Sequence, residues 1–296
     1  MNILIIGIGN IGKSHLNGLL KSKIKKTIYL YDSNKINIKG PNIINLKTFP
    51  KNKKFFLVII ATNVKERFTI TKKLLDSNKV HNLLLEKYIF QNPNEFEFFE
   101  QTLLKKVKNK CLVNCWGKIL LKIFKLKPTK EIININVKVN SDSFITSFIH
   151  FLQIFYYLTN KQNSESFISS NFTKVFNSKR VGYNELNGKF IIKNKLGSSL
   201  IYESKKFKNG FDMTLKTKNF SSRIVLNDNF QLFFYNKKKV TVKKFPLSSF
   251  TTNNLLNELS KYNKANSILP SYKEVAPINK IILDTINIKI KGKSFT

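Results

Sequence analysis

The sequence predicts an α/β amino-terminal domain built on a parallel sheet, followed by an α+β domain with a large, mostly antiparallel sheet. Three observations lead there. Residues 2–115 alternate short apolar runs with stretches of helical spacing, as strand–helix units do. A glycine-rich turn joins the first strand to the first helix. After Cys115 the rhythm changes to short alternating segments separated by turn residues. We therefore divide the chain into residues 1–115 and 116–296.

Asn2–Ile6 is a short apolar run and reads as a buried parallel strand. Asn10–Leu20 follows with helical spacing at Ile11, Leu16, Leu19 and Leu20. Strands are expected at Thr27–Tyr31, Phe55–Ala61, His81–Leu85 and Lys110–Cys115, and helices at Val64–Leu75 and Asn92–Val107. In the second domain a strand-like run, Glu131–Asn140, precedes a very apolar helix, Phe144–Leu158. Strands then follow at Lys189–Lys193, Ser199–Glu203, Asp212–Lys216, Arg223–Asn227, Gln231–Tyr235 and Val240–Lys244. Asn209-Gly210 and Asn227-Asp228-Asn229 mark turns, and Asn253–Tyr262 and Ser271–Ile286 read as closing helices.

Composition bounds the function. No apolar run reaches the length of a membrane span. Met1–Ile6 lacks the basic start and cleavage site of a signal peptide, so a cytoplasmic protein is expected. Cys111 and Cys115 have no metal-binding spacing and there are three histidines, so no metal site is expected and both thiols are expected reduced. The net charge is +35, yet only Arg67, Arg180 and Arg223 are arginines. Phosphate and base readers favour the planar arginine fork, so a scattered lysine surface predicts no specific nucleic-acid partner. It does favour anionic small molecules by long-range attraction.

Gly7-Ile8-Gly9-Asn10-Ile11-Gly12 matches G-x-G-x-x-G between a strand and a helix, the context the motif requires. Gly7 permits the turn, Gly9 lets the backbone approach a pyrophosphate, and Gly12 lets helix and strand pack closely. The N–H groups of Asn10 and Ile11 then open the helix toward the phosphates. The same stretch also fits the phosphate loop of nucleoside triphosphatases, Gly7-x-x-x-x-Gly12-Lys13-Ser14. Asp32 favours the first reading. It closes the second strand twenty positions after Gly12, where a Rossmann domain carries the acid that binds ribose hydroxyls. It would serve the second reading only by acting as the magnesium-binding acid itself. An acid at this point repels a 2′-phosphate, so NAD is the expected cofactor and NADP the alternative.

Taken in order, these stretches resemble the glucose–fructose oxidoreductase, inositol dehydrogenase and rhizopine catabolism family (Gfo/Idh/MocA). The resemblance rests on Gly7-x-Gly9-x-x-Gly12-x-x-His15, Val58-Ile59-Ile60-Ala61-Thr62-Asn63, Leu85-Glu86-Lys87, Ile149-His150-Phe151 and Leu269-Pro270-Ser271-Tyr272-Lys273-Glu274. It implies that Ala61, Thr62 and Asn63 touch the cofactor. Lys87 then lies beside the nicotinamide and the reacting carbinol, Glu86 orients backbone or cofactor, and His150 is the acid–base histidine. His15 reads as a packing residue near the loop. The implied activity is reversible hydride transfer with a secondary alcohol of a sugar or sugar derivative, in surface polysaccharide metabolism. A homodimer or homotetramer formed through the second sheet is expected.

The chain also departs from the family. Thr146 stands where an acid is frequent, Gln153 where Asp is frequent, Tyr88 where proline follows the lysine, and Trp116-Gly117-Lys118 where related chains carry Pro-Arg-Arg. These departures keep a second expectation open: a dinucleotide-binding or regulatory protein of the same fold with decayed chemistry.

Overall fold

The computed structural model describes residues 1–160, 166–178, 182–205, 210–236, 239–245, 248–261 and 267–289. Arg180, the turn residue Asn209 and the expected helix end Tyr262 lie outside them. The chain forms two compact units, Met1–Cys115 with Pro246–Lys280, and Trp116–Phe245 with the chain from Ile281 onward.

The first unit holds a six-stranded, wholly parallel sheet. Its strands are β1 (Asn2–Ile6), β2 (Thr27–Tyr31), β3 (Ile43–Asn45), β4 (Lys54–Ile60), β5 (Lys79–Glu86) and β6 (Val107–Asn114), in the spatial order β3-β2-β1-β4-β5-β6. Ile3–Ile6 and Leu57–Ile60 are buried because helices cover both faces, hence the unbroken apolar runs. Helix α1 (Asn10–Lys21) connects β1 to β2, and α2 (Val64–Ser77) connects β4 to β5. The strand order reverses between β1 and β4. Open α/β sheets bind their ligands at such a switch point, beyond the carboxyl ends of the strands.

The expected helix Asn92–Val107 is shorter. Helix α3 (Pro93–Phe98) passes into a wide π turn over Phe99–Leu103 and a 3₁₀ turn over Leu104–Lys106. Phe96, Phe99 and Leu103 keep helical spacing and are all buried, so the pattern reads as one helix; but Val107 already pairs with Val80. A strand as short as β3 left no periodic signal.

Two late segments return to the first unit: helix α6 (Ser248–Ser260) and the start of α7 (Tyr272–Lys289). A cut after Cys115 alone therefore does not describe the units. Gly18 of α1 meets α6 (Ser248–Ser260) so closely that an added Cβ would sit 2.3 Å from the Ser249 carbonyl oxygen. At the start of α7 (Tyr272–Lys289), Ser271 bridges to Leu112 of β6, and Asn279 accepts the Ile89 N–H at 2.6 Å.

The second unit holds an eight-stranded sheet. Its strands are β7 (Asn134–Asn140), β8 (Ser166–Asn177), β9 (Asn184–Asn194), β10 (Ser199–Lys205), β11 (Phe211–Lys216), β12 (Ser221–Leu226), β13 (Gln231–Asn236) and β14 (Lys239–Lys244), in the order β14-β13-β12-β11-β7-β10-β9-β8. Only β7 and β10 pair in parallel. Burial alternates along β7, β11 and β12, which places one face against a helical layer. That layer contains α5 (Phe144–Leu158) and the short α4 (Gly117–Ile123), which had no strong sequence signal. Phe148 stacks on Phe190 at 4.1 Å between centroids, and the buried Tyr202 hydroxyl donates to the Phe144 carbonyl at 2.5 Å. The carboxylate of buried Glu185 caps α5, accepting the N–H groups of Ile145 and Thr146 at 3.0 and 3.4 Å.

Candidate functional site

A cavity of about 750 Å³ opens at the switch point of the parallel sheet, a size suited to a cofactor. Gly7, Gly9, Asp32, Ala61, Thr62 and Asn63 line it. The other residues marked from the sequence are not in its wall. Asn10 and Ile11 begin α1 beside it, Gly12 serves packing, Glu86 ends the neighbouring strand and Lys87 follows it.

The three glycines have separate reasons to lack a side chain. Gly7 adopts φ +88°, and a Cβ there would lie 2.8 Å from the backbone of Ala61 and Thr62. At Gly12 a Cβ would lie 1.9 Å from the Gly7 carbonyl oxygen, so the helix could not approach the turn. At Gly9 nothing lies within 4 Å. Packing within the chain thus explains Gly7 and Gly12 and leaves Gly9 facing open space. A pyrophosphate needs such a surface, with no Cβ at the mouth of a helix.

The turn is also short. Helix α1 starts at Asn10, with Gly9 as its cap, so Lys13 lies on the exposed helix surface and not at the cavity. The longer phosphate loop of the triphosphatases does not fit this geometry.

Asp32 holds the turn from the other side. Its carboxylate accepts the Ile8 N–H at 2.6 Å and the Asn34 N–H at 2.9 Å. In the same wall, the buried Thr62 hydroxyl has no hydrogen-bond partner among the described residues. Sequence reasoning missed Phe49 in the wall. The Tyr31 ring meets it edge-on at 5.2 Å, and the Lys73 ammonium lies 4.6 Å from its centroid. Its loop follows the three-residue β3, where no pattern announces it.

Behind the end of β5 lies a buried polar network. His15 is 0% exposed; its Nδ1 meets Thr252 Oγ1 at 2.6 Å and its Nε2 meets Glu86 Oε1 at 2.8 Å. Asn114 donates to the same Glu86 oxygen at 2.6 Å. Burial alone would push the Glu86 carboxyl up. The His15 hydrogen bond and charge, the Asn114 amide and the Arg67 charge outweigh it and hold the group below the usual carboxylate range. Glu86 therefore faces this network, and Lys87, half-buried, follows it. The Lys87–Tyr88 peptide is cis. The half-buried Cys111 thiol is pushed up by burial and so held as the inert thiol.

His150 lies in the second unit. It is 1% exposed, and its ring stacks on Trp116 with centroids 4.2 Å apart and planes 27° apart. The other neighbours of Trp116 are Phe211, stacked at 5.6 Å, and the edges of Phe151 and Phe245. Gly117 makes this contact possible. A Cβ there would lie 2.5 Å from the His150 carbonyl oxygen and 2.7 Å from Gln153 Oε1. Gln153 in turn accepts the Lys118 N–H at 3.2 Å. The segment 116–118 and Gln153, which depart separately from the family pattern, thus touch one another.

No protein-family model and no curated protein sequence matches the chain. Solved structures do. A UDP-N-acetylglucosamine 3-dehydrogenase from Acidithiobacillus ferrooxidans matches with a TM-score of 0.69 over 97% of this chain and 96% of that one, at 11% identity. A dehydrogenase from Clostridium difficile matches with a TM-score of 0.62 over 97% and 99%, at 14% identity. The transcriptional regulator Gal80p from Kluyveromyces lactis matches with a TM-score of 0.68 over 97% and 91%, at 12% identity. The likeness establishes the fold: a parallel Rossmann sheet and a large, mostly antiparallel sheet, as in dehydrogenases and oxidoreductases of the Gfo/Idh/MocA type.

Proposed function

We propose that the cavity holds a nicotinamide dinucleotide and that the chain is an oxidoreductase acting on a secondary alcohol of a sugar or sugar derivative. The observation that carries this reading is Gly9, which faces open space between two glycines that packing explains. When bound, the nicotinamide supplies the hydride chemistry. The protein's own part is to seat the pyrophosphate at the start of α1 and to hold the ribose at Asp32, with NAD preferred over NADP. Lys87 is assigned to the substrate oxygen, where an ammonium stabilises alkoxide character and relays a proton. His150 is assigned acid–base work on the resemblance alone. UDP-sugars join the candidate substrates because a structural neighbour is a UDP-N-acetylglucosamine 3-dehydrogenase.

We extend the proposal to a cytoplasmic homodimer or homotetramer formed through the second sheet, where Tyr235, Val240 and Val242 are exposed on β13 and β14. No helix among the described residues is long and apolar enough to cross a membrane.

The test is turnover, followed by NADH absorbance at fixed salt, across sugars, sugar acids and UDP-sugars in both directions. Turnover on one class supports the enzyme. A second reading is a dinucleotide-binding regulator. The near-complete burial of His150 against Trp116 favours it, as does the fold shared with a transcriptional regulator. Tight NADH binding with no turnover on any panel member selects it.

A further inference from the structure

Arginine is scarce here, three residues among 52 basic ones, and each of the two in the described residues meets more than one acceptor atom with its guanidinium. On the surface, Arg223 forms a two-pronged pair with Asp212, at 2.9 Å from Nε and 2.7 Å from Nη2. The other, Arg67, sits in α2 and is 3% exposed. Its Nη1 donates to the carbonyls of Glu86, at 2.8 Å, and of Tyr88. Its Nη2 donates to the carbonyl of Thr62.

Those three carbonyls come from the ends of two neighbouring strands and the loops that follow them. Thr62 lies in the loop after β4, in the cavity wall. Glu86 ends β5, and Lys87 and Tyr88 open the loop after it. Ile60 pairs with Leu85, so the loops leave the sheet side by side, and neither is tied to the other by the strand ladder beyond that pair. The Arg67 charge is offset by the Glu86 carboxylate, which His15 and Asn114 hold in place. A planar guanidinium reaches three acceptors in fixed directions, whereas an ammonium is a point charge on a flexible stem.

We propose that Arg67 is the positioning residue of this site, holding the cofactor-facing loop at Thr62 and the loop of Lys87 in one fixed register. The proposal rests on the cofactor reading above. It assigns Arg67 to the nicotinamide end of the cavity and leaves the ADP end, built on Gly9 and Asp32, to other residues. Arg67 itself does not line the cavity.

The experiment compares Arg67→Lys with the parent in two titrations at fixed salt, one with NADH and one with ADP-ribose, which lacks the nicotinamide. The expected result is ADP-ribose affinity within about twofold of the parent and NADH affinity reduced at least about tenfold, the equivalent of roughly 1.4 kcal/mol. A merely structural role would weaken both ligands alike, and that outcome, or no change in either, overturns the proposal. A parent that binds ADP-ribose and NADH while the variant shows no split refutes Arg67 and leaves the cofactor reading standing. A parent that binds neither refutes both. Should Arg67→Lys fail to fold, amide hydrogen exchange of the ligand-free parent decides. If Arg67 joins the loops, amides at 62–64 and 87–89 open with one common free energy; independent opening overturns the claim.

Discussion

The cavity at the parallel sheet and the corner around His150 are built by different means. At the cavity the backbone makes the geometry. A left-handed Gly7, a helix pressed on a turn at Gly12 and an open face at Gly9 shape it. Around His150 side chains make it. One indole fills the space between an imidazole and a phenyl ring, and Gly117 lets it come near. A backbone-made site tolerates almost no change of residue type and so leaves a short, regular motif. A side-chain-made site can be rebuilt by exchanging several partners together, and Trp116, Gly117 and Gln153 form one such cluster of contacts. The contrast explains why the glycine turn matches its pattern while the surroundings of His150 do not.

The largest expected effect breaks the backbone side of this comparison. Gly12→Ala places a methyl 1.9 Å from the Gly7 carbonyl oxygen, which only backbone movement can relieve. Overpacking of this kind costs about 1–3 kcal/mol or more, so thermal melting should show a drop of several degrees together with lost NADH binding. An unchanged melting temperature would mean that the helix does not press on the turn.

Next in size is catalysis. Lys87→Ala should lower turnover on the cognate substrate roughly 100-fold while leaving NADH affinity near the parent's, the pattern of a lost proton carrier or donor. His150→Asn should act similarly and alter the pH profile of turnover. Full activity in His150→Asn would remove His150 from the chemistry and make its stack on Trp116 a matter of packing.

A smaller effect sharpens the role of the network behind β5. The folded Glu86 carboxyl titrates below its ordinary value. Its stabilising contribution is therefore present above the ordinary carboxylate pKa and is lost as pH falls through the folded value. Glu86→Gln should remove that part of the acid limb of the stability curve and cost about 1–3 kcal/mol near neutral pH by weakening buried hydrogen bonds. Urea melts across acidic pH check this; an acid limb identical to the parent's would contradict it. The smallest effect is selectivity. Asp32→Ser should narrow the preference for NAD over NADP by about tenfold, read from paired titrations at one ionic strength.

Much of the first unit was legible because buried parallel strands read as unbroken apolar runs; in the second unit, Phe144–Leu158 matched α5 end to end. The misses have physical causes. β3 is three residues long, the π turn at Phe99–Leu103 preserves helical spacing, and β8 (Ser166–Asn177) alternates too weakly to mark. The return of α6 to α1 depends on Gly18, a single small residue whose role appears only when its neighbour is known. Phe49, Arg67 and Trp116 were invisible as site residues for a related reason. An arginine in an amphipathic helix looks solvated, an aromatic residue looks like core, and only tertiary placement tells otherwise. Glu185 is the clearest instance: an acid reaches the Thr146 N–H, but from β9 rather than from the helix itself.

The central claim is that the open face at Gly9 receives the pyrophosphate of a nicotinamide dinucleotide. Gly9→Val tests it most directly, because a Cβ there lies in open space with nothing within 4 Å, so the fold should stay intact. NADH is titrated into parent and variant at fixed salt, and both are melted without ligand. Saturable binding by the parent, lost in the variant at an unchanged melting temperature, is the predicted result. Parental affinity in the variant, or ATP with magnesium bound by the parent far more tightly than NADH, would contradict it.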